Sequence, residues 1–196
     1  MTVMRLFTAL WPSSAAVEDL STVLGEEPSG DWTAAVDELR GFRFVPAGQW
    51  HSTLCFHGDE ADSERVAASL RSGVADLLHG DPGFVPPRLR LAGAGVFRGV
   101  LWVGVVPAPE EDDGGATRRS LHRLAEAAGA DSERFRPHVT VARWSGGRGR
   151  TDRLAGWLND YSGPAWSADS LDVVASEREK GVLTYRTVQR IPLTSP

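Results

Sequence analysis

The sequence predicts a mixed α+β fold, and three features of the 196-residue chain support this. Strand-like and helical segments follow in the order strand, helices, strands, helix, two strands, helix, strand, helix, two strands. The connections are too short and irregular for a doubly wound parallel sheet. Similar strand and helix units surround two His-x-Thr segments, which begin at His51 and His138. This repetition suggests a duplication into two lobes.

The helices are predicted from their start signals and from apolar residues at helical spacing. Ser13 and Ser14 can cap a first helix, and Asp62 or Ser63 starts a longer one that reaches about His79. The other predicted helices are WTAAVDELRG, closed by Gly41, ATRRSLHRLAEAAG, closed by Gly129, and a short helix over residues 152–158.

The strands are predicted from alternating apolar runs bounded by turn residues. They are MRLFTALWP, FRFVP, HSTLCFHG, RLRLAGAGVF, VLWVGVVP, HVTVARW and two closing strands over residues 165–176 and 183–192. Arg98 and Gly99 form the turn between RLRLAGAGVF and VLWVGVVP.

The composition is that of a soluble globular protein, with 41% apolar and 24% charged residues. Cys55 is the only cysteine, which excludes internal disulfides and favours a reducing compartment. The apolar run at residues 6–11 is far shorter than a membrane span and lacks a signal-peptide cleavage pattern. We therefore expect one cytoplasmic domain over residues 1–196, acting as a monomer without a membrane or an obligate protein partner.

The charge distribution limits the possible partners. A net charge of -5 argues against a binder of long nucleic acid, which needs many phosphate contacts. A basic stretch nevertheless brackets the second His-x-Thr; its members are Arg134, Arg136, Arg143, Arg148, Arg150 and Arg153, against the single acid Asp152. It is either a solvated loop or a source of attraction for a small number of phosphates.

Each His-x-Thr strand can present two polar side chains together, because side chains alternate along a strand. Regular alternation places His51, Thr53 and Cys55 on one face, opposite Ser52, Leu54 and Phe56. It likewise places His138, Thr140 and Ala142 together, opposite Val139 and Val141.

Two such strands facing each other would supply an acid, a base and two hydroxyl donors around one phosphate. A histidine whose pKa is near its ordinary value of about 6.5 can donate or accept a proton near neutral pH. In-line displacement at phosphorus needs one group to activate the nucleophile and another to protonate the leaving oxygen. The residues themselves do not decide which histidine has which role.

A metal site is the competing interpretation. His51, Cys55 and His57 could form a trio on one face, but the strand turns these positions past one another and no fourth ligand is evident. We therefore expect neither a metal nor another cofactor.

Five phrases occur in the order typical of one family: MRLFTALWP, FRFVPAGQWHSTLCFHGD, GAGVFRGVLWVGV, FRPHVTVAR and VVASEREKGVLTYRTV. With them the chain resembles, over nearly its whole length, the bacterial RNA 2′,3′-cyclic phosphodiesterases. These enzymes are also called 2′-5′ RNA ligases and belong to the two-histidine phosphoesterase superfamily. Small departures from the family pattern lie at Ser52, Cys55 and His57.

The resemblance implies a bilobal α+β fold with two pseudo-symmetric lobes, each an antiparallel sheet flanked by helices, and an active-site cleft between them. It implies metal-independent hydrolysis of a 2′,3′-cyclic phosphate, on an RNA end or a small nucleotide, to a 2′-phosphomonoester. His51 would be the proton donor and His138 the proton acceptor, while Thr53 and Thr140 would hold the non-bridging oxygens. Arg143 is expected to be a weaker phosphate ligand, because a regular strand puts it on the opposite face from His138.

Two alternatives remain open at the same site. One is 2′-5′ RNA ligase or 2′-5′ phosphodiesterase activity, because ring opening by an RNA 5′-hydroxyl uses the same acid and base as ring opening by water. The other is a non-catalytic module that binds RNA ends. The histidines at both positions argue against a pure binder, which would not need a matched proton donor and acceptor.

Overall fold

The structure, a computed structural model, describes residues 4–26, 31–59, 61–109, 115–147, 151–179 and 182–194. The helices within these ranges are α1 (Ser14–Gly25), α2 (Asp31–Asp37), α3 (Ser63–Gly80), α4 (Ala116–Ala127) and α5 (Thr151–Gly156), with a 3-10 turn at Ala47–Gln49. The strands are β1 (Arg5–Leu10), β2 (Leu39–Arg40), β3 (Arg43–Phe44), β4 (Ser52–Asp59), β5 (Arg88–Phe97), β6 (Val100–Pro107), β7 (His138–Arg143), β8 (Gly146–Gly147), β9 (Trp166–Ser167), β10 (Ser170–Glu179) and β11 (Val182–Pro192).

One curled antiparallel sheet of nine strands dominates the described part of the chain. Its order is β11-β10-β1-β4-β7-β6-β5-β9, and β3 pairs with a further part of β7. The halves β11-β10-β1-β4 and β7-β6-β5-β9 correspond to the two predicted lobes. They are joined through a single residue pair, Ser52 with Val139, between β4 and β7. The predicted α+β architecture with antiparallel sheets is therefore confirmed.

The helices pack on one face of this sheet and leave the other face open. Helix α3 lies against β10 and β11, α4 against β4 and β6, and α5 against β5. The main core contains apolar side chains from the helices and from the sheet. The helices contribute Leu20, Leu70, Leu124 and Leu154, and the sheet contributes Leu101 and Val141. A smaller cluster of Phe7, Ala9 and Val174 covers part of the opposite face, where the candidate site lies.

Several local predictions are confirmed. The Ser13 hydroxyl caps α1 by accepting from the Ala16 amide, and the Asp62 carboxylate caps α3 by accepting from the Glu64 amide. Arg98 and Gly99 join β5 to β6 with φ values of 44° and 76°. Two left-handed residues in sequence are typical of a tight hairpin turn.

One helix prediction extends too far. The pattern of WTAAVDELRG predicts a helix that continues to Gly41, but α2 ends at Asp37. Leu39 and Arg40 instead pair with Gly147 and Gly146 as the small β2-β8 sheet. This pairing comes from more than a hundred residues away, so no local helical signal could reveal it.

None of the described helices combines the length and the apolar character needed to cross a membrane.

Candidate active site

The two His-x-Thr segments meet at the junction between the lobes. Ser52, which follows His51, pairs with Val139, which follows His138. In this antiparallel register, His51 lies towards Thr140 and Thr53 lies towards His138. The sheet itself therefore brings each histidine close to the threonine of the other motif.

All five site residues predicted from the sequence line one cavity of about 1260 Å³ on the open face of the sheet. They are His51, Thr53, His138, Thr140 and Arg143. The remaining lining residues are Arg5, Phe7, Arg43, Phe44, Val45, Pro46, Gln49, Phe56, Ser176, Arg178, Leu183 and Tyr185. No described α-helical residue contributes to this lining.

Both histidines are held by the same backbone device. The Nδ1 atom of His51 lies 2.7 Å from the carbonyl oxygen of Gln49, and that of His138 lies 2.6 Å from the carbonyl oxygen of Arg136. A carbonyl only accepts, so Nδ1 must carry the proton and donate it in each ring. Each neutral imidazole consequently keeps the lone pair of Nε2 for proton transfer.

Three aromatic rings surround the imidazole of His51. Its ring stacks on Phe7 at 4.7 Å between centroids, contacts Trp11 at 5.3 Å and meets the edge of Tyr185 at 5.2 Å. The pKa of His51 is lowered to about 4, chiefly by burial and to a smaller extent by the positive charges of Arg143 and His138, although the Gln49 hydrogen bond raises it. The charge of His138 acts on His51 because the two imidazoles line the same cavity.

Two aromatic rings contact the imidazole of His138 in the second lobe. Its ring meets Phe97 at 5.2 Å and Trp102 at 6.1 Å. Burial lowers the pKa of His138, as does the charge of Arg143, while the hydrogen bond to Arg136 opposes them. Burial therefore favours the neutral form of both rings. An anion bound beside them would favour protonation.

The two threonines complete the centre of the cavity. Thr53 is exposed and Thr140 is half-buried. Neither hydroxyl has a hydrogen-bond partner in the part of the chain that the structure describes. Each is therefore available to donate to a ligand oxygen.

The predicted position of Arg143 is wrong, because β7 is not regular. Leu101 pairs with Ala142 but Trp102 pairs with Thr140, so Val141 is an extra residue in β7. Such a bulge shifts every later side chain to the other face. Ala142, expected beside His138, is consequently buried in the core, and Arg143 turns into the cavity.

A second bulge, in β4, makes the predicted faces of this strand wrong beyond Thr53. Thr8 pairs with Cys55 but Ala9 pairs with Thr53, so Leu54 is the extra residue. Cys55, expected beside His51, packs instead against the main core. Phe56, expected on the opposite face, lines the cavity with 57% of its surface exposed.

The same bulge separates the residues of the alternative metal site. Cys55 Sγ lies 3.9 Å from His57 Nδ1, and Thr8 Oγ1 lies 2.8 Å from His57 Nε2. Neither Cys55 nor His57 lines the cavity that contains His51. Across the described ranges, no group of three or more His, Cys, Asp or Glu side chains is arranged to hold a metal ion.

The cavity is basic although the protein is acidic. Its four arginines are Arg5, Arg43, Arg143 and Arg178, and no described lining residue is a carboxylate. Arg43 and Arg143 are directly opposite each other in the β3-β7 pair. Like charges opposed across strands are unfavourable unless an anion compensates them. An anion bound between these two arginines, beside the histidines, would relieve this repulsion.

The predicted basic stretch contributes little to this field. Arg134 pairs with Asp131 at 3.3 Å, and Arg136 donates to the Glu133 carbonyl at 2.8 Å. Of the described arginines in the stretch, only Arg143 lines the cavity. Arg148 and Arg150 lie outside the described residues. The other cavity arginines belong to distant strands that only the fold brings together.

Gly95 leaves room for the indole ring of Trp102, which contacts the ring of His138. The two residues are paired across β5 and β6, and a Cβ at Gly95 would collide with the indole ring. We expect Gly95→Ala to lower the free energy of unfolding by about 1–3 kcal/mol, as overpacking does. It should also lower kcat/KM, because the displaced indole releases His138.

Denaturant unfolding and kinetics of the same preparation check this. Gly156→Ala is the matched control, because nothing lies within 4 Å of the added Cβ. Unchanged stability and activity in Gly95→Ala would show that Trp102 does not brace the histidine.

Comparison with known families agrees with this geometry. The family model described as the 2′-5′ RNA ligase superfamily matches residues 25–180, which include both His-x-Thr segments and the strands that carry them. The chain belongs to this superfamily. No curated protein matches the sequence significantly.

Solved structures share the fold over the whole chain. The crystal structure of E. coli LigT complexed with phosphate is 23% identical, with a TM-score of 0.61 and 100% coverage of both chains. E. coli LigT complexed with 3′-AMP is 21% identical, with a TM-score of 0.62 and coverage of 98% of this chain and 99% of that one. The protein TT0787 of Thermus thermophilus is 22% identical, with a TM-score of 0.54 and coverage of 96% of this chain and 97% of that one. At these identities the likeness concerns the fold.

Proposed function

We propose that the protein hydrolyses 2′,3′-cyclic phosphate ends of RNA or nucleotides to 2′-phosphomonoesters. The observation that carries this proposal is the pair of imidazoles, each with Nδ1 bonded to a carbonyl and Nε2 left for proton transfer, beside opposed arginines. Such a pair can both take and give a proton at one phosphate. E. coli LigT, which shares this fold, forms complexes with phosphate and with 3′-AMP, and this supports the proposal.

The proposed reaction needs no group beyond the chain and water. His138 Nε2 takes a proton from water as the water oxygen forms a bond to phosphorus. The bond between phosphorus and O3′ breaks, and the proton on His51 Nε2 passes to O3′. The product keeps its phosphate on O2′, and proton exchange with solvent returns the pair to its starting state.

The remaining site residues would stabilise charge at phosphorus. Thr53 and Thr140 donate to the non-bridging oxygens, and the guanidinium of Arg143 balances the negative charge that grows in the transition state. Arg43 adds attraction from the opposite strand. The bound phosphate, in turn, raises the pKa of both histidines and allows one ring to be protonated.

The proposal is tested with a panel of substrates in excess chelator. We expect turnover of nucleoside 2′,3′-cyclic phosphates to the 2′-phosphomonoester, because the chain itself supplies both proton transfers. Nuclear magnetic resonance of phosphorus identifies the product. The panel also contains 3′,5′-cyclic nucleotides and 2′-5′ linked dinucleotides.

Each other outcome selects a different activity. Preferential cleavage or formation of 2′-5′ linkages would favour the ligase chemistry over hydrolysis. Binding of cyclic phosphate ends without turnover of any panel member would favour the non-catalytic module. Loss of activity in chelator with recovery on adding a divalent ion would contradict the two-histidine mechanism.

A further inference from the structure

We propose that the cavity holds a second phosphate subsite at Arg178, so that the substrate is a strand end carrying a phosphate on the 5′ side of its terminal ribose. This inference rests on the proposed function and names the substrate class of the same site. It predicts that a lone nucleoside cyclic phosphate fills only part of the cavity.

The β10-β11 hairpin places Arg178 two residues beyond the Ser176–Tyr185 pair, which lies beside His51. Tyr185, which contacts His51 at 5.2 Å, pairs with Ser176 across β10 and β11. Arg178 pairs with Leu183 two residues further along the same hairpin. Two residues of an antiparallel strand span about 6.8 Å. Because side chains two residues apart share a face, Arg178 lines the same cavity at a position displaced from its centre.

Gln49 ties this displaced position to the catalytic centre. Its side-chain Nε2 donates to the carbonyl oxygen of Leu183 at 2.9 Å, and its own carbonyl accepts from His51. The hairpin that carries Arg178 is therefore fixed relative to His51 by one residue. A subsite on this hairpin lies at a defined distance from the reacting phosphorus.

The charges on the two faces of the hairpin differ. Arg186, whose side chain faces away from the cavity, pairs with Glu177 at 3.4 Å. Arg178 faces the cavity and has no carboxylate partner among the described residues. Arg5 of β1 is directly opposite Ser176 and therefore diagonal to Arg178, within the reach of long side chains. The charge of Arg5, however, is compensated by Asp59 at 2.9 Å. Of the described residues at this end of the cavity, Arg178 is thus the uncompensated cation.

An RNA end supplies the matching anion. A strand that ends in a 2′,3′-cyclic phosphate continues through the 5′ oxygen of the same ribose, so its next phosphate lies on the other side of that sugar. A guanidinium can hold this phosphate with two parallel hydrogen bonds. The cyclic phosphate at the histidines and the 5′-phosphate at Arg178 would therefore be separated by a single nucleoside.

The test compares adenosine 2′,3′-cyclic phosphate with the same compound carrying a 5′-phosphate. For the unmodified protein, we expect kcat/KM to be roughly tenfold or more higher with the 5′-phosphate, as a charged hydrogen bond provides. Arg178→Ala should bring this ratio close to one, and Arg178→Lys should keep part of it. Arg186→Ala, the control on the other face of the hairpin, should keep the full ratio.

The ratio separates the subsite from general damage, because both substrates are measured on one preparation and any misfolded fraction cancels. A ratio near one in the unmodified protein would overturn the inference, as would an Arg178→Ala variant that keeps the full ratio. Turnover of the plain cyclic nucleotide in either case would leave the proposed function standing. No turnover of either compound would overturn the proposed function, and this inference with it.

Discussion

His51→Ala and His138→Ala are each expected to lower kcat/KM for a nucleoside 2′,3′-cyclic phosphate by roughly 10²- to 10⁴-fold, as removal of a general acid or base does. The double variant should be much less than multiplicatively worse, because an acid and a base that act together are lost as one unit. The fold should survive, since both rings lie on the open face of the sheet and outside the main core.

His79→Ala is the matched control for these variants. The Nδ1 atom of His79 also bonds to a backbone carbonyl, that of Ala75 at 2.7 Å, but the residue is exposed on α3 and outside the cavity. Its substitution should leave kcat/KM unchanged. Full activity in either His51→Ala or His138→Ala would remove that histidine from the mechanism.

A substrate with a better leaving group separates the two roles. A 3′-deoxynucleoside 2′-phosphodiester of 4-nitrophenol releases a stable anion, needs no proton donor and has no neighbouring hydroxyl that could displace the nitrophenolate. If His51 is the donor, His51→Ala should regain much of its activity on this compound, while His138→Ala should not. The opposite pattern would exchange the roles.

Local signals in the sequence predict the elements that carry the site. The caps at Ser13 and Asp62 and the turn at Arg98 and Gly99 are decided by neighbouring residues, and all are present. The repeated His-x-Thr pattern also predicts that two strands face one cavity. This succeeds because a histidine and threonine two residues apart share a face before any bulge intervenes.

The faces beyond each threonine could not be predicted. A bulge at Leu54 and another at Val141 reverse the alternation that the sequence shows. Both arise from the register of β4 on β1 and of β7 on β6, and the apolar pattern of one strand does not contain that register. Simple alternation therefore assigns Arg143 and Phe56 to the wrong side.

The basic character of the cavity is hidden in the sequence for a related reason. Arg5, Arg43 and Arg178 lie far from one another in the sequence and come together through β1, β3 and β10. The visible cluster around residues 134–153 instead contains arginines that bond to their own segment, such as Arg134 with Asp131. A local charge run therefore identifies one cavity arginine out of four.

Arg143→Ala is expected to change both the rate and its pH dependence. The variant loses a charged hydrogen-bond donor, which contributes about 1.5–3 kcal/mol, or roughly 10- to 100-fold in kcat/KM. The charge of Arg143 also lowers the pKa of His51 and of His138, in addition to the larger effect of burial. Removing that charge should raise both pKa values.

The direction of the pH shift follows from the roles of the pair. In the unmodified protein, both pKa values lie below the ordinary value of histidine, so kcat/KM should be bell-shaped with its maximum on the acidic side of neutrality. The acidic limb reports protonation of the base and the basic limb deprotonation of the acid, with apparent values that belong to the pair. In Arg143→Ala, both limbs should move to higher pH.

Two further variants separate charge from geometry. Arg143→Lys keeps the positive charge but loses the planar fork, so its pH profile should stay in place while kcat/KM falls. Arg43→Ala removes the cation directly opposite Arg143. Unlike Arg143, Arg43 does not lower the pKa of either histidine. This variant should weaken substrate binding without moving the limbs of the pH profile.

If the limbs of Arg143→Ala coincide with those of the unmodified protein, the guanidinium does not act on the histidines. A flat profile from mildly acidic to mildly basic pH would contradict the two-histidine mechanism as a whole.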